Sequence, residues 1–345
     1  MSHKLSLVWW VTCALWLSAF GASAQQSDPL VAQGIAVGAG TSVENLTVFP
    51  LFASQETDLG EITTLDEALA RGAAEVREVN GGEVNKLVVK NRGKRAIYVL
   101  AGTLVKGGKQ DRQIGQDFVI EPNKSVAVDA FCVEQGRWES KREGATTGGK
   151  FVATKAIATS DVRRAAQYQQ NQSEVWNKVS KLNGAHQKSA PSGTLMATVD
   201  AGDVDASKQK LARGIEGALA SAPKEKALVG LAYALDGSVR SVRWFASSKV
   251  FGLFQKSLVE AAALDALTQR GERSSQPAAS AVAAKASDVN RFVGEVESER
   301  SVQKRDTSAS NANEYKESAR GFGSKTRLKA RPEVSVSSDY VAKDR

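Results

Sequence analysis

The sequence is poor in the side chains that most often act in catalysis or bind metals. Its 345 residues include 2 cysteines and 2 histidines. Cys13 and His3 fall within the apolar leader described below, which leaves Cys132 and His186 for the mature chain. A lone cysteine forms no internal disulfide, although an exported chain meets oxidising conditions. One histidine in a loop argues against a Ser-His-Asp triad or a His-rich zinc site, so we expect no metal and no cofactor.

The chain begins with the pattern of a secretory signal peptide. Lys4 gives a positive start, an apolar run covers residues 5–20, and Ala22-Ser23-Ala24 is a small-residue cleavage site. The run is shorter than the roughly 20 residues that cross a bilayer comfortably. We therefore predict a signal peptide over 1–24, cleavage near Ala24-Gln25, and a periplasmic or secreted protein. An uncleaved membrane anchor is the alternative.

The charge and composition of the chain limit the kinds of partner that it can have. Hydrophobic residues make up 42% of the chain, enough for a substantial core, and the formal net charge is +8. This balance permits a mild attraction to anionic partners. Because the basic residues are mixed with acidic ones, we expect no nucleic-acid binding, and membrane contact only through an uncleaved leader.

The first half of the chain has the pattern of a β-sheet protein. Short runs rich in Val, Ile and Phe alternate with Asn/Gly/Pro turns over 43–138. Thr64 and Glu67 form a capping box that begins one short helix. These patterns predict an antiparallel, β-rich sandwich or barrel-like unit.

The second half, 155–270, is predicted to contain helices and one β-hairpin. Helical spacing runs from Ser160 through Leu182. Asp236-Gly237 separates two apolar runs, as expected of a tight hairpin turn, and a long helix begins at Ser247 or Ser248. The predicted fold class is therefore α+β.

The two ends of the predicted domain are polar. Residues 25–41 are glycine-rich and are expected to be a flexible lead-in to a domain over 42–270. From Gly271 onward the chain loses apolar residues, and such a segment buries too little surface to offset the cost of ordering. Residues 271–345 are therefore predicted to be a polar, mostly disordered tail.

The unusual residues gather in two segments, 106–112 and 132–138. Gly107-Gly108 precedes Lys109, so successive backbone N–H groups are candidates for an anion-binding nest. A hairpin turn with a solvated lysine is the alternative. The spacing is not that of a phosphate-binding P-loop, because no Ser or Thr follows the lysine.

Five residues of these segments are candidates for ligand binding. Gln110 and Arg112 project to one side of a strand and can face a common ligand. Trp138 offers a flat surface for stacking a ring, or else covers the core. The predicted ligand-binding set is Lys109, Gln110, Arg112, Arg137 and Trp138.

Two residues of the second segment are candidates for catalysis. Glu134 is suited to general acid/base work, or to an ion pair with Arg137. Cys132 shares a strand face with Glu134 and is a candidate nucleophile if a nearby arginine lowers its pKa. Apolar residues precede Cys132 on that face, which favours a packing role instead.

The paired segments resemble the ARG and rhodanese-phosphatase-superfamily-associated protein domain over about 42–270. Further parts of the resemblance are Gln172-Ser173-Glu174-Val175-Trp176, Ala190-Pro191-Ser192-Gly193-Thr194, and the closing hairpin and helix with Phe251 and Phe254. By association with ADP-ribosylglycohydrolases, the resemblance implies an ADP-ribose-like or other phosphorylated ligand. It maps onto Gln110, Arg112, Cys132, Glu134, Arg137 and Trp138. The export signal and the long polar tail depart from the family pattern.

Three functions are compatible with the sequence. The first is an exported binding or accessory module for an anionic or ring-containing ligand. The second is a hydrolase-type enzyme with Glu134 as acid/base. The third is a structural protein of the cell envelope whose basic tail interacts with other proteins. The expected partner is accordingly an unknown small anionic ligand or an envelope protein.

Overall fold

The computed structural model describes residues 28–29, 34–79, 83, 85–142, 144–273 and 282–343. The predicted signal peptide and its cleavage site lie outside these residues. Within them, no helix combines the length and the apolar character needed to span a membrane.

Strands occur throughout the described chain, and the helices are concentrated after the first six-stranded sheet. The strands are β1 (Asp28–Pro29), β2 (Ile35–Val37), β3 (Thr41–Val43), β4 (Leu46–Ala53), β5 (Ile62–Thr64), β6 (Ala74–Glu78), β7 (Lys86–Asn91), β8 (Ala96–Val99), β9 (Thr103–Gly107), β10 (Arg112–Ile114), β11 (Phe118–Ile120), β12 (Ser125–Cys132), β13 (Lys141–Arg142), β14 (Ala145–Thr146), β15 (Phe151–Ile157), β16 (Ala227–Leu235), β17 (Ser238–Phe245), β18 (Gln303–Asp306), β19 (Asn311–Glu317), β20 (Gly321–Leu328) and β21 (Ser335–Ala342). The helices are α1 (Leu65–Ala70), α2 (Ser160–Gln167), α3 (Gln172–Ala185), α4 (Met196–Val199), α5 (Gly202–Ala220), α6 (Ser248–Arg273) and α7 (Ala286–Ser298).

The α+β fold predicted from the sequence is confirmed. Its β-rich first half contains a six-stranded antiparallel sheet in the order β15-β9-β10-β12-β7-β6 and a three-stranded sheet in the order β11-β8-β5. The pair β5 and β8 is parallel, unlike its neighbours. Apolar side chains of both sheets share one core, in which Val89, Ile97 and Phe118 are buried.

A ten-stranded sheet forms the second layer, in the order β1-β2-β4-β16-β17-β21-β20-β19-β18 with β3 beside β4. Its hairpin β16–β17 turns at Asp236-Gly237. These residues have φ angles of 46° and 77°, which suit a type I′ turn. The hairpin prediction is therefore confirmed.

The helices cover both layers. Helices α5 and α6 pack on the ten-stranded sheet, and α2 and α3 pack on the outer face of the six-stranded sheet. The helix predicted from Ser160 through Leu182 is two helices. Asn171 interrupts it because its side chain accepts a hydrogen bond from the Glu174 N–H at 3.0 Å and caps α3.

The prediction of a mostly disordered tail is wrong for residues 282–343. This segment forms α7 and the strands β18–β21, and β21 lies inside the ten-stranded sheet between β17 and β20. Apolar residues of α7, including Phe292 and Val293, pack on the sheet. The lead-in prediction also fails in part, because β2 pairs with β4. The folded domain thus extends beyond 42–270 at both ends.

Candidate functional site

Strand pairing brings the two unusual segments together. Arg112 on β10 lies opposite Cys132 on β12, so their side chains share a face. Arg112 Nη1 donates a hydrogen bond to Cys132 Sγ at 2.6 Å and another to Gln110 Oε1 at 3.0 Å. Gln110 Nε2 in turn donates to the Glu134 carbonyl at 2.6 Å. The predicted residues therefore do converge.

The glycine turn binds acceptors of the protein itself rather than leaving a nest for a ligand. Gly107 and Gly108 have φ angles of 135° and 50°, a backbone conformation that disfavours other residues. The Gly107 N–H donates to Asp111 Oδ1 at 3.0 Å, and the Lys109 N–H donates to Glu78 Oε1 at 2.7 Å. The Gly108 N–H donates to the carbonyl that precedes β15, at 3.0 Å. All three backbone donors of the expected nest are thus occupied.

Arg137 holds the turn and the two strand ends together. Its Nε and Nη2 lie 3.0 and 2.7 Å from Glu134 Oε2. Nη2 also lies 3.4 Å from Asp111 Oδ1 and donates to the Gly107 carbonyl at 3.2 Å, while Nη1 donates to the Gly108 carbonyl at 2.9 Å. Arg137 is 9% exposed. This guanidinium is saturated by protein acceptors.

Glu134 is held in its ionised form. Burial raises the pKa of Glu134, but hydrogen bonds from Arg137, the Asp111 N–H and Ser192 outweigh burial and leave this pKa below its usual value. A general acid at neutral pH requires a raised pKa. The geometry matches the ion-pair alternative, and a catalytic role for Glu134 stays a prediction.

Cys132 is fully buried, and burial raises the pKa of its thiol against the opposing effect of Arg112. Its backbone is fixed by the Gln172 side chain, which accepts from the Cys132 N–H at 2.9 Å and donates to the Cys132 carbonyl at 2.8 Å. A raised pKa keeps the thiolate fraction low at neutral pH. The nucleophile role of Cys132 likewise stays a prediction.

Arg112 differs from Arg137 because only one of its guanidinium nitrogens, Nη1, forms hydrogen bonds to described residues. Its guanidinium is fully buried, and burial lowers its pKa. Among the described residues, Nε and Nη2 of Arg112 have no hydrogen-bond partner, and no carboxylate lies within 4.0 Å of the guanidinium. The Trp138 ring lies over it, with the ring centroid 5.7 Å from Arg112 Cζ. Arg112 is thus a buried cation that forms no ion pair within the described chain, and the more distant Glu78 carboxylate offsets only part of the effect of burial on its pKa.

Trp138 connects this cation to the surface. The ring is 48% exposed, and Lys109 Nζ lies 5.4 Å from its centroid. Both contacts are within the range of a cation–π interaction. The ring therefore separates Arg112 from solvent while presenting an accessible aromatic surface.

Sequence reasoning missed Asp111 as a member of the site. This carboxylate is fully buried and binds Gly107, Arg137 and, through Oδ2 at 3.2 Å, Thr194 Oγ1. Thr194 belongs to the 190–194 loop, whose Ser192 carbonyl accepts from two N–H groups of the 132–138 segment, at 3.1 and 2.8 Å. The position of Asp111 between Gln110 and Arg112, two predicted ligand-binding residues, could have indicated that it belongs to the site.

A cleft of about 1060 Å³ lies outside this cluster, and no pattern in the sequence predicted it. It lies between α3, α6, the β16–β17 turn and α7, and none of the predicted site residues lines it. Burial raises the pKa of Asp265 and of Glu272, both of which line this cleft. Within the described residues, no group of three or more His, Cys, Asp or Glu is arranged to hold a metal ion.

Comparison with known proteins identifies the family. The sequence profile of the ARG and Rhodanese-Phosphatase-superfamily-associated Protein domain matches residues 34–337. The match starts before β2 and ends within β21, so it includes most of the segment predicted to be a tail. No curated protein and no solved structure matches the chain. Because the match spans most of the 345 residues, the chain belongs to the ARG and Rhodanese-Phosphatase-superfamily-associated Protein domain family.

Proposed function

We propose that this protein is an exported binding module whose ligand places an anionic group on Arg112. The observation that carries the proposal is the pair of unpartnered atoms Nε and Nη2 on a fully buried guanidinium. Export rests on the N-terminal leader alone, and the binding site does not depend on it.

The energetic argument is that an uncompensated buried charge is costly. Removing an ion from water costs several kcal/mol even after relaxation, and Arg112 recovers little of this from Gln110 and Cys132. An arginine kept in such a place is expected to have a ligand as its counter-ion. Nε and Nη2 form one edge of the guanidinium, which matches the two oxygens of a carboxylate or phosphate.

Trp138 and Lys109 extend the site toward solvent. Rotation of the half-exposed Trp138 ring would open the path to Arg112. A ring in the ligand can then stack on the indole, and Lys109 adds a second positive charge beside it. These contacts favour a small ligand that combines an anionic group with a planar ring.

A ligand panel in a thermal shift assay tests the proposal on the mature chain. The panel contains phosphate, sulfate, benzoate and a nucleoside monophosphate. A ligand at one hundred times its Kd stabilises the folded state by about 2.7 kcal/mol, so a binder raises Tm by several degrees in a saturable way. If no ligand of the panel raises Tm, the proposal fails.

The variant Arg112→Met separates a binding role from a structural one. Methionine has a similar volume and no charge, so without ligand we expect stability within about 1 kcal/mol of the parent, or above it. The ligand-dependent rise in Tm should disappear. Arg305→Met is the matched control, because Arg305 also lies over an aromatic ring, at 4.0 Å from Tyr315. A response that survives in Arg112→Met would refute the assignment.

The two other hypotheses have weaker support. The hydrolase alternative needs Glu134 as an acid or Cys132 as a nucleophile, and the pKa shifts of both residues oppose those roles. The envelope-interaction alternative relied on a disordered basic tail, whereas residues 282–343 form α7 and β18–β21.

A further inference from the structure

Away from the Arg112 site, described residues line a cleft of about 1060 Å³, which has room for a ligand. This volume is at the upper end of the range for ligand sites, which is about 300–1,000 Å³. Its walls come from elements far apart in sequence: α3 and α6 on one side, and α7 with the β19–β20 turn and the end of β21 on the other. The turn of the β16–β17 hairpin lies between these walls.

The lining of the cleft carries more positive than negative charge. The basic residues are Lys178, Lys181, Arg240, Arg273, Lys285, Arg291, Arg320 and Lys343, and the acidic ones are Asp161, Asp236, Asp265, Glu272 and Asp288. An excess of one sign of charge around a concave surface attracts ligands of the opposite sign. The cleft therefore favours an anionic ligand.

Most of the acidic residues in the cleft are already neutralised. Asp236 pairs with Arg273 at 2.7 Å, and Asp288 pairs with Arg291 at 3.2 Å. Asp265 accepts from the Ser160 N–H at 3.1 and 3.0 Å.

Asp161, in turn, pairs with Arg240, which also lines the cleft. These pairs cancel charge locally and leave fixed hydrogen-bond donors and acceptors on the walls.

Two of the four lysines of the cleft, Lys178 and Lys343, form ion pairs with Glu174 and Glu317, which leaves Lys181 and Lys285 as its uncommitted charges. Neither Lys181 nor Lys285 forms an ion pair with another described residue, and both are exposed. Lys178 on the same helix as Lys181 lies 3.4 Å from Glu174. An incoming carboxylate can therefore reach Lys181 and Lys285 without breaking an existing pair.

We propose that this cleft binds an acidic peptide segment of a partner protein. Its polar walls offer both donors and acceptors, as a peptide backbone requires, and its lysines match acidic side chains. Among the described residues that line the cleft, Phe292 is the one aromatic residue, and it is itself buried. These residues therefore offer no exposed aromatic surface of the kind on which sugar rings commonly stack.

Fluorescence anisotropy with labelled hexapeptides tests this inference on the mature full chain. The probes are an acidic peptide of Glu, Asp, Ser and Gly, its Lys-substituted counterpart, and linear polyphosphate as a competitor. The acidic peptide should bind and the Lys-substituted one should not, with affinity falling as salt is raised. No binding of the acidic peptide, or tighter binding of polyphosphate, overturns the inference.

Charge-reversal variants locate the binding. Lys181→Glu should weaken the acidic peptide by about tenfold, which corresponds to about 1.4 kcal/mol. Lys210→Glu is the matched control, because Lys210 is an exposed lysine on α5 outside the cleft and changes the net charge equally. Equal losses in both variants would mean that the peptide responds to overall charge, and would overturn the cleft assignment. Arg112→Met should leave peptide binding intact, so this result is independent of the proposed anion site.

Discussion

Replacing Arg137 tests whether this arginine is a structural centre or a ligand contact. In Arg137→Met, the buried carboxylates of Glu134 and Asp111 lose their cation, and the Gly107 and Gly108 carbonyls lose a donor. Breaking a buried pair by removing one partner costs about 3–5 kcal/mol. Since folded proteins are stable by about 5–15 kcal/mol, at least about a fifth of the free energy of unfolding should be lost.

The assay is urea denaturation followed by tryptophan fluorescence. Arg137→Met should shift the midpoint strongly at unchanged slope, because the surface exposed on unfolding is unaltered. Arg305→Met is the control: Arg305 donates to the Gln167 carbonyl at 2.7 Å, so its loss should cost about 1 kcal/mol.

The pH dependence gives a second measure of the same pair. The pKa of Glu134 is lowered in the folded state, so its ionised form stabilises the fold above the unfolded pKa of about 4.3. This contribution is lost as pH falls through the lower folded pKa. The difference between parent and Arg137→Met should therefore be full at neutral pH and shrink in acid. A loss no larger than that of Arg305→Met at pH 7, or a difference that grows in acid, would refute the reasoning.

Other predictions concern the remainder of the chain. A protein ending at Arg273 should show no cooperative thermal transition by circular dichroism, because it lacks β21, and a melt like that of the full chain would contradict this. Cys132 should react with iodoacetamide far more slowly in the native protein than in urea, since it is buried with a raised pKa; equal rates, measured by mass spectrometry, would count against its burial. Asp117→Asn should weaken the fold above about pH 4, because the Asp117 pKa is lowered in the folded state and Arg243 Nη2 lies 2.7 Å from both of its oxygens; urea melts at pH 7 and pH 3 should show a smaller deficit in acid, and a larger one would contradict this. The mature protein should begin near Gln25 by N-terminal sequencing, and a retained leader would support the anchor alternative.

Local signals predicted the local structure well. The Asp236-Gly237 turn and the Thr64 cap, which accepts from the Glu67 N–H at 3.3 Å, follow from residues adjacent in sequence. The strands β18–β20 were missed because many of the buried side chains in β19 and β20 are polar. Asn311 and Asp339 are almost fully buried, and each binds residues that are far away in the sequence. The number of apolar residues in a stretch of sequence cannot predict a core that is held together by polar contacts of this kind.

Local signals in the sequence also located the candidate site, but they predicted only part of its geometry. Rare residue types marked both segments, but the contrast between Arg112 and Arg137 depends on strand register and turn geometry. Arg137 lies three residues from Glu134 and reaches it directly. Arg112 lies opposite Cys132, which supplies no negative charge while its thiol remains protonated. Residue type alone predicts neither the ion pair of Arg137 nor the position of Arg112 opposite a thiol.

The position of β21 constrains the order in which the molecule can be assembled. It is the last strand of the described chain, and both of its neighbours in the sheet, β17 and β20, come earlier in the sequence. Pairings of such long sequence separation form late, because loop closure must precede them. The ten-stranded sheet therefore cannot be completed until synthesis reaches residues 335–342. The strands on the two sides of β21 stay unjoined until these residues are made.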